Sequence, residues 1–278
     1  MTSVPTPPEK RIDWPGIAIF LALAISMGSL WARHAALSGM LAKPSSSGFA
    51  AWLSQLSVLV AALVAMALRR DGSSYGIGWT LGPGPAYVAV IAVTITVVGA
   101  SWAIAYLLHG LAYAPALHLR QAVVVLPIML LMSCLFAFAE EFGWRGYLLP
   151  RLSPLGPAIA LCLSGCLWFL WEAPLVWFGI LDASLIHINA PVTLLLHFVS
   201  TISAAIAFGF LRLRFRSVWL PTFAHGLLNT LGAVSFLYLR ELKPFTGDFA
   251  GPIGTGLSAL VASLLLWNVI HSGTGMKT

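Results

Sequence analysis

The run Ala122-Val-Val-Val-Leu-Pro-Ile-Met-Leu-Leu-Met-Ser-Cys-Leu-Phe-Ala-Phe-Ala139 carries no charge and leads directly into Glu140-Glu141-Phe-Gly-Trp-Arg145-Gly-Tyr-Leu-Leu-Pro150. A helix needs about 20 mostly apolar residues to cross a bilayer, and this run supplies them. Two adjacent carboxylates and an arginine then stand where hydrocarbon makes each of them costly. Ionisable groups at membrane depth mark functional sites by default, and each needs a partner or a wet cavity. The rest of the chain is read outward from this stretch.

Composition supports a membrane protein throughout. Of 278 residues, 59% are hydrophobic and 9% charged, and mean hydropathy is +0.90. Soluble domains carry about 25% charged residues, so this surface cannot face water on all sides. The expected fold class is all-α and polytopic, with about eight transmembrane helices around a polar intramembrane cavity. Candidate spans are Trp14–Ala32, Gly48–Leu68, Ala86–Leu108, Ala122–Phe142, Pro157–Phe178, Pro191–Leu211, Val218–Tyr238 and Ile253–Ile270. Between them lie breakers such as Lys43-Pro-Ser-Ser-Ser-Gly, Gly82-Pro-Gly-Pro and Pro244 through Pro252. The chain divides into a tail over 1–13, one membrane domain over 14–270 and a tail over 271–278. The stretch from Trp14 is too long for a signal-peptide core and reads as a retained first span.

The formal net charge of +6 follows the membrane as well. With the N-terminus inside, Lys10, Arg11, Arg69, Arg70, Arg145, Arg151, Arg212, Arg214, Arg216 and Lys277 fall on the inner side. Arg33, Lys43, Arg120, Arg240 and Lys243 fall outside. This bias predicts both termini in the cytoplasm. Nucleic acid is not an expected partner, because no soluble segment interleaves basic and aromatic residues. Cys134, Cys162 and Cys166 lie inside apolar runs and read as packing residues.

The chemistry-bearing residues cluster in the second half. Glu140 and Glu141 stand about 100° apart on a helix, so they face different ways. Glu141 and Arg145 are four apart and can pair along one face, which leaves Glu140 to the bundle interior. Pro150 is expected to end that helix. Glu172 is a second intramembrane acid, in Leu167-Trp-Phe-Leu-Trp-Glu172-Ala-Pro174, and no span interior offers it an obvious lysine or arginine. His225 and Asn229 share a face in the seventh span, and Gly226 beside them admits a close neighbouring helix. Glu140, Glu172, His225 and Asn229 thus form a candidate polar set drawn from three helices. Counted from their helix starts, Glu172 lies about 22 Å deep and His225 only about 10 Å, so tilt must reconcile them. The other histidines (His34, His109, His118, His187, His197 and His271) receive no role, and nothing is expected to pair with His197 at helical spacing.

The set lacks a recognisable nucleophile, so direct attack by water is the economical chemistry. A glutamate would act as general base while His or Asn holds the oxyanion. A divalent metal such as zinc, on Glu140, Glu172 and His225, could instead acidify the water. Both routes fit the pattern.

These residues carry a resemblance. Glu140-Glu-Phe-Gly-Trp-Arg145 resembles the Glu-Glu-x-x-x-Arg motif of the CAAX protease and bacteriocin-processing (CPBP/Abi) family. The block through Trp219, Pro221, His225 and Asn229 resembles its His-x-x-x-Asn motif. The similarity covers about 122–231. It implies a multi-spanning intramembrane endopeptidase, often called a metalloprotease, whose partners are the lipid bilayer and a peptide or protein substrate that some members take in lipidated form. It further implies that Glu140 activates water with support from Glu141 and Arg145, and that His225 and Asn229 bind the oxyanion or a metal. The sequence departs from the family at Glu172, which stands where the middle motif places a histidine. Three readings follow: a working endopeptidase, a catalytically impaired membrane binding or immunity protein, and a cation-coupled transporter. The last is disfavoured by the lack of matching half-repeats.

Overall fold

The computed structural model describes residues 12–42, 44–70, 76–116, 118–181, 188–243 and 251–271. Most of the N-terminal tail, the C-terminal tail beyond His271, His187 and the segment 244–250 lie outside these residues. The chain is an all-α membrane bundle. Its long helices are α1 (Trp14–Leu37), α2 (Pro44–Arg69), α3 (Gly84–Leu107), α4 (Leu119–Glu141), α6 (Pro157–Trp177), α7 (Ala190–Phe215), α8 (Trp219–Tyr238) and α9 (Pro252–His271). The short α5 (Leu149–Leu152) continues the line of α4. Among the described residues, seven helical segments are long and apolar enough to cross a membrane. Helix α8 is the long helix outside that set of seven, and it carries His225 and Asn229.

The outward faces explain the composition. On α4, Val124, Ile128, Leu131 and Leu135 are all exposed at helical spacing, whereas Ala137, Ala139 and Glu140 on the inner side are buried. Helices α3 and α9 show similar apolar faces through Val88, Ile95, Leu264 and Trp267. So large an apolar exterior belongs in lipid. Inside, small residues let backbones approach, because lipid offers no hydrophobic drive between helices. Ala24, Gly28 and Ala32 of α1 are buried, as are Ala61, Ala62 and Ala65 of the adjoining α2. A Cβ on Gly28 would come within 2.5 Å of the Trp171 Nε1. That indole N–H donates to the Ser57 Oγ at 3.1 Å, tying α6 to α2 across α1.

The polar ends are pinned separately. At one end Asp13 caps α1 through the Gly16 N–H (3.2 Å) and pairs with Arg69 (3.0 Å) and Arg151 (3.6 Å). The segment ahead of α3 lies against the α7–α8 turn. There the Val218 N–H donates to the Gly78 carbonyl at 2.8 Å. Gly78 has φ +85°, and a Cβ there would sit 2.7 Å from the Arg216 carbonyl oxygen, so only glycine fits. At the other end a two-stranded antiparallel ribbon pairs β1 (Leu111–Tyr113) with β2 (Leu239–Glu241).

The principal correction concerns Pro150. The helix does not end before it. After Glu141 the backbone widens into a π-helical segment, Phe142–Leu148, then returns to α over Leu149–Leu152 and stops at Gly156, φ +90°. Proline survives there because the widened register disposes of its missing donor. The Leu149 N–H reaches the Trp144 carbonyl, five residues back. The next donor in that register would be residue 150, acting on the Arg145 carbonyl. Pro150 has none, and Arg212 Nε from α7 donates to that oxygen instead, at 3.1 Å.

Candidate active site

Glu140 sits at the last turn of α4, just before the backbone widens. Such π segments are rare and favour functional sites. All seven residues of this one are buried. Gly143 within it admits α2: a Cβ there would meet Val58 Cγ1 at 2.4 Å.

The neighbouring glutamates separate as their helical phase requires. Glu141, fully enclosed, points into protein. Its Oε1 accepts from Arg145 Nη1 at 3.1 Å and from His225 Nδ1 at 2.9 Å. The Arg145 guanidinium also lies 4.3 Å from the centroid of the Trp168 ring and 5.3 Å from that of Phe208. Those two rings in turn flank the His225 imidazole, at 5.5 and 5.3 Å between centroids. A carboxylate paired with arginine can only accept, so His225 donates through Nδ1 and its Nε2 is left for other work. Glu141 therefore fixes the position of His225 and keeps a proton on its Nδ1.

Glu140 faces the other way. It is 2% exposed, and its Oε2 has no hydrogen-bond partner. It lines a cavity of about 370 Å³ together with Glu172, His225 and Asn229. The difference in depth expected for Glu172 and His225 does not keep them apart, because both reach this one cavity from α6 and α8. Helix α8 comes close to α4 at Gly226, where a Cβ would lie 2.8 Å from the Cys134 backbone. Of the six candidate residues, four line the cavity, while Glu141 and Arg145 form its buried backing.

The structure corrects the expectation for His197. It projects from α7 into the same cavity, and its Nε2 stands 3.1 Å from the Glu172 Oε2. Thr201, four residues further along α7, donates to the same oxygen at 2.6 Å. Glu172 thus has partners, and they are a histidine and a hydroxyl rather than a lysine or arginine. Sequence periodicity shows that His197 and Thr201 share a helical face, but not that this face meets Glu172, 25 residues before His197 on another helix. Arg212 was missed for a different reason. Its target is a backbone carbonyl whose availability depends on the π register.

The residues expected to hold a metal, Glu140, Glu172 and His225, all line the cavity but do not stand as a ligand cluster. Among the described residues, no three of His, Cys, Asp and Glu stand together as metal ligands.

The family comparison agrees with this geometry. Residues 122–231 match the family model described as Rce1-like, type II CAAX prenyl endopeptidase. The matched range runs from the start of the apolar part of α4 to α8 and includes Glu140, Glu141, Arg145, Glu172, His197, Thr201, His225 and Asn229. No curated protein matches the chain.

Proposed function

We propose, from the premise that residues 122–231 form an Rce1-like domain of the type II CAAX prenyl endopeptidases, that the chain hydrolyses a peptide bond at the membrane using water activated by Glu140. The observation that carries this reading is Glu140 itself: a buried carboxyl with an oxygen that has no hydrogen-bond partner, lining a cavity shared with an asparagine and with a histidine held by Glu141.

Each group follows from its place. Glu140 takes a proton from water as the water oxygen attacks the scissile carbonyl carbon. The carbonyl electron pair moves to oxygen, where the Asn229 amide and the protonated Nε2 of His225 receive the negative charge. Glu141 holds His225 through Nδ1 and is the counter-charge of the ring when Nε2 also carries a proton. Arg145 balances Glu141. When the C–N bond breaks, the proton on Glu140 passes to the leaving amine, giving a carboxylic acid and an amine. Because the candidate ligands do not stand as a cluster, no step here is routed through a metal. The peptide substrate is expected to lie near the membrane, and lipidation of its C-terminus fits the family. An even number of spans would return the chain to its starting side, and the basic bias supports a cytoplasmic location for both ends.

The test uses the purified full chain with prenylated and unmodified carboxyl-terminal peptides, each with and without chelator. Cleavage that Glu140→Gln abolishes supports the reading. Absence of cleavage with a well-folded protein counts for the impaired binding or immunity protein. Inhibition by chelator, reversed by added zinc, would assign a metal and displace the protein-only mechanism.

A further inference from the structure

We propose that Glu172, His197 and Thr201 act as one unit, in which Glu172 is a second acceptor for the attacking water and His197 is the positioning residue that aims it. The inference rests on the peptidase reading of the same cavity and extends it to a residue of α7.

Both donors on α7 converge on a single oxygen of Glu172, the Thr201 hydroxyl at 2.6 Å and the His197 Nε2 at 3.1 Å. Being four residues apart, they form a two-pronged clamp on one helical face. Engaging one carboxylate oxygen from two directions fixes the plane of the group and leaves its other oxygen to the cavity that Glu172 lines. The contrast with Glu141 is informative. That ion pair is sealed, its side chains 0–1% exposed, whereas the side chains of Glu172 and His197 are 12% and 14% exposed although they lie deep in the bundle. This pair is built at the cavity wall, where a water can reach it. Water bound between Glu140 and Glu172 donates one hydrogen to each. Glu140 takes its proton as the O–C bond forms, while Glu172 only accepts a hydrogen bond. No proton is lost from the sequence of steps already given. The arrangement also explains how a carboxylate can stand where related chains place a histidine: here the imidazole comes from the next helix and serves the carboxylate.

The experiment compares kcat and KM for His197→Ala, His197→Gln, Thr201→Val, His197→Glu, Glu172→His and the reciprocal Glu172→His/His197→Glu double substitution. A misaimed water costs on the order of 100-fold in kcat, so His197→Ala and Thr201→Val should each lose roughly 10- to 100-fold with KM little changed. His197→Gln, whose amide can still donate to Glu172, should recover part of that loss. The double swap should exceed both of its single parents, because it restores the pair with the roles exchanged. Full kcat in His197→Ala overturns the proposal, as does a double swap no better than the weaker single variant. Turnover abolished by Glu140→Gln yet indifferent to His197→Ala refutes this inference alone. Failure of the unaltered protein to cleave any peptide refutes the peptidase reading and this one together.

Discussion

Glu140 and Glu141 are neighbours in the chain, equally hidden from lipid, and serve opposite ends. Glu141 gives one oxygen to Arg145 and to His225 and has no part in the cavity wall. Glu140 lines the cavity and keeps an oxygen without a hydrogen-bond partner. Burial therefore does not distinguish a working carboxylate from a supporting one. Each keeps one oxygen without a hydrogen-bond partner; what distinguishes them is that Glu141 gives its other oxygen to Arg145 and His225 behind the cavity, whereas Glu140 opens onto it. A paired buried charge contributes geometry. One without a charge partner costs stability, and the proposed reaction would give it a use.

The largest expected effect breaks the working half of the comparison. Replacing Glu140 with Gln removes the proposed general base but preserves the shape of the side chain. Cleavage should fall by about 100- to 10,000-fold, read as kcat/KM on a prenylated peptide. The melting temperature should hold or rise, because an uncompensated acid has been removed. A cleavage rate within a few-fold of the unaltered protein would move the base elsewhere, with Glu172 the next residue to test.

The supporting half should fail in the other way. Glu141→Ala strands Arg145 and leaves His225 without its orienting acceptor. Truncating one member of a buried charge pair costs about 3–5 kcal/mol, so this variant should melt markedly earlier in detergent. Its loss of activity should accompany its loss of fold, whereas Glu140→Gln separates the two. If Glu141→Ala keeps its melting temperature and loses only turnover, the division of labour between the neighbours is wrong.

Asn229→Ala sharpens the division further, because Asn229 faces the cavity without belonging to the Glu141 network. Removal of one oxyanion donor costs on the order of 100- to 1,000-fold in kcat. The effect on melting should be small. Gly226→Ala, one residue from His225, should instead act through packing. Its added Cβ would lie 2.5 Å from the Cys134 Sγ and 2.8 Å from the Cys134 backbone, and overpacking of this kind typically costs about 1–3 kcal/mol.

Much of this was legible before any coordinates, and for identifiable reasons. The bilayer reads as uninterrupted apolar runs, so the spans could be placed to within a few residues. Pairing of Glu141 with Arg145, and the close approach at Gly226, follow from helical periodicity and side-chain size, which are local properties. His197 was not legible because its partner lies on another helix, at a sequence distance that no periodicity encodes. Glu172 looked partnerless for the same reason. The π segment was hidden more deeply. Nothing in Phe142-Gly-Trp-Arg-Gly-Tyr-Leu148 announces five-residue hydrogen bonds, and the one apparent signal, Pro150, argues for a helix end rather than a widened register.

That last misreading yields the smallest prediction and the most specific. If the π register is what frees the Arg145 carbonyl, then Arg212 is a substitute for the N–H that Pro150 lacks. Arg212→Met removes the substitute and leaves a buried carbonyl without a donor, at a cost of about 1–3 kcal/mol. Part of that cost also reflects the lost bond from Arg212 Nη2 to the Gly76 carbonyl, 2.7 Å long in the native protein. Pro150→Ala, added to Arg212→Met, supplies a backbone N–H five residues beyond Arg145 and should return some of the lost stability. In the native background the same proline substitution should gain little, since Arg212 already occupies the oxygen. A double variant no more stable than Arg212→Met alone would mean that the carbonyl is not the group Arg212 serves, and that the arginine earns its place at the Gly76 contact.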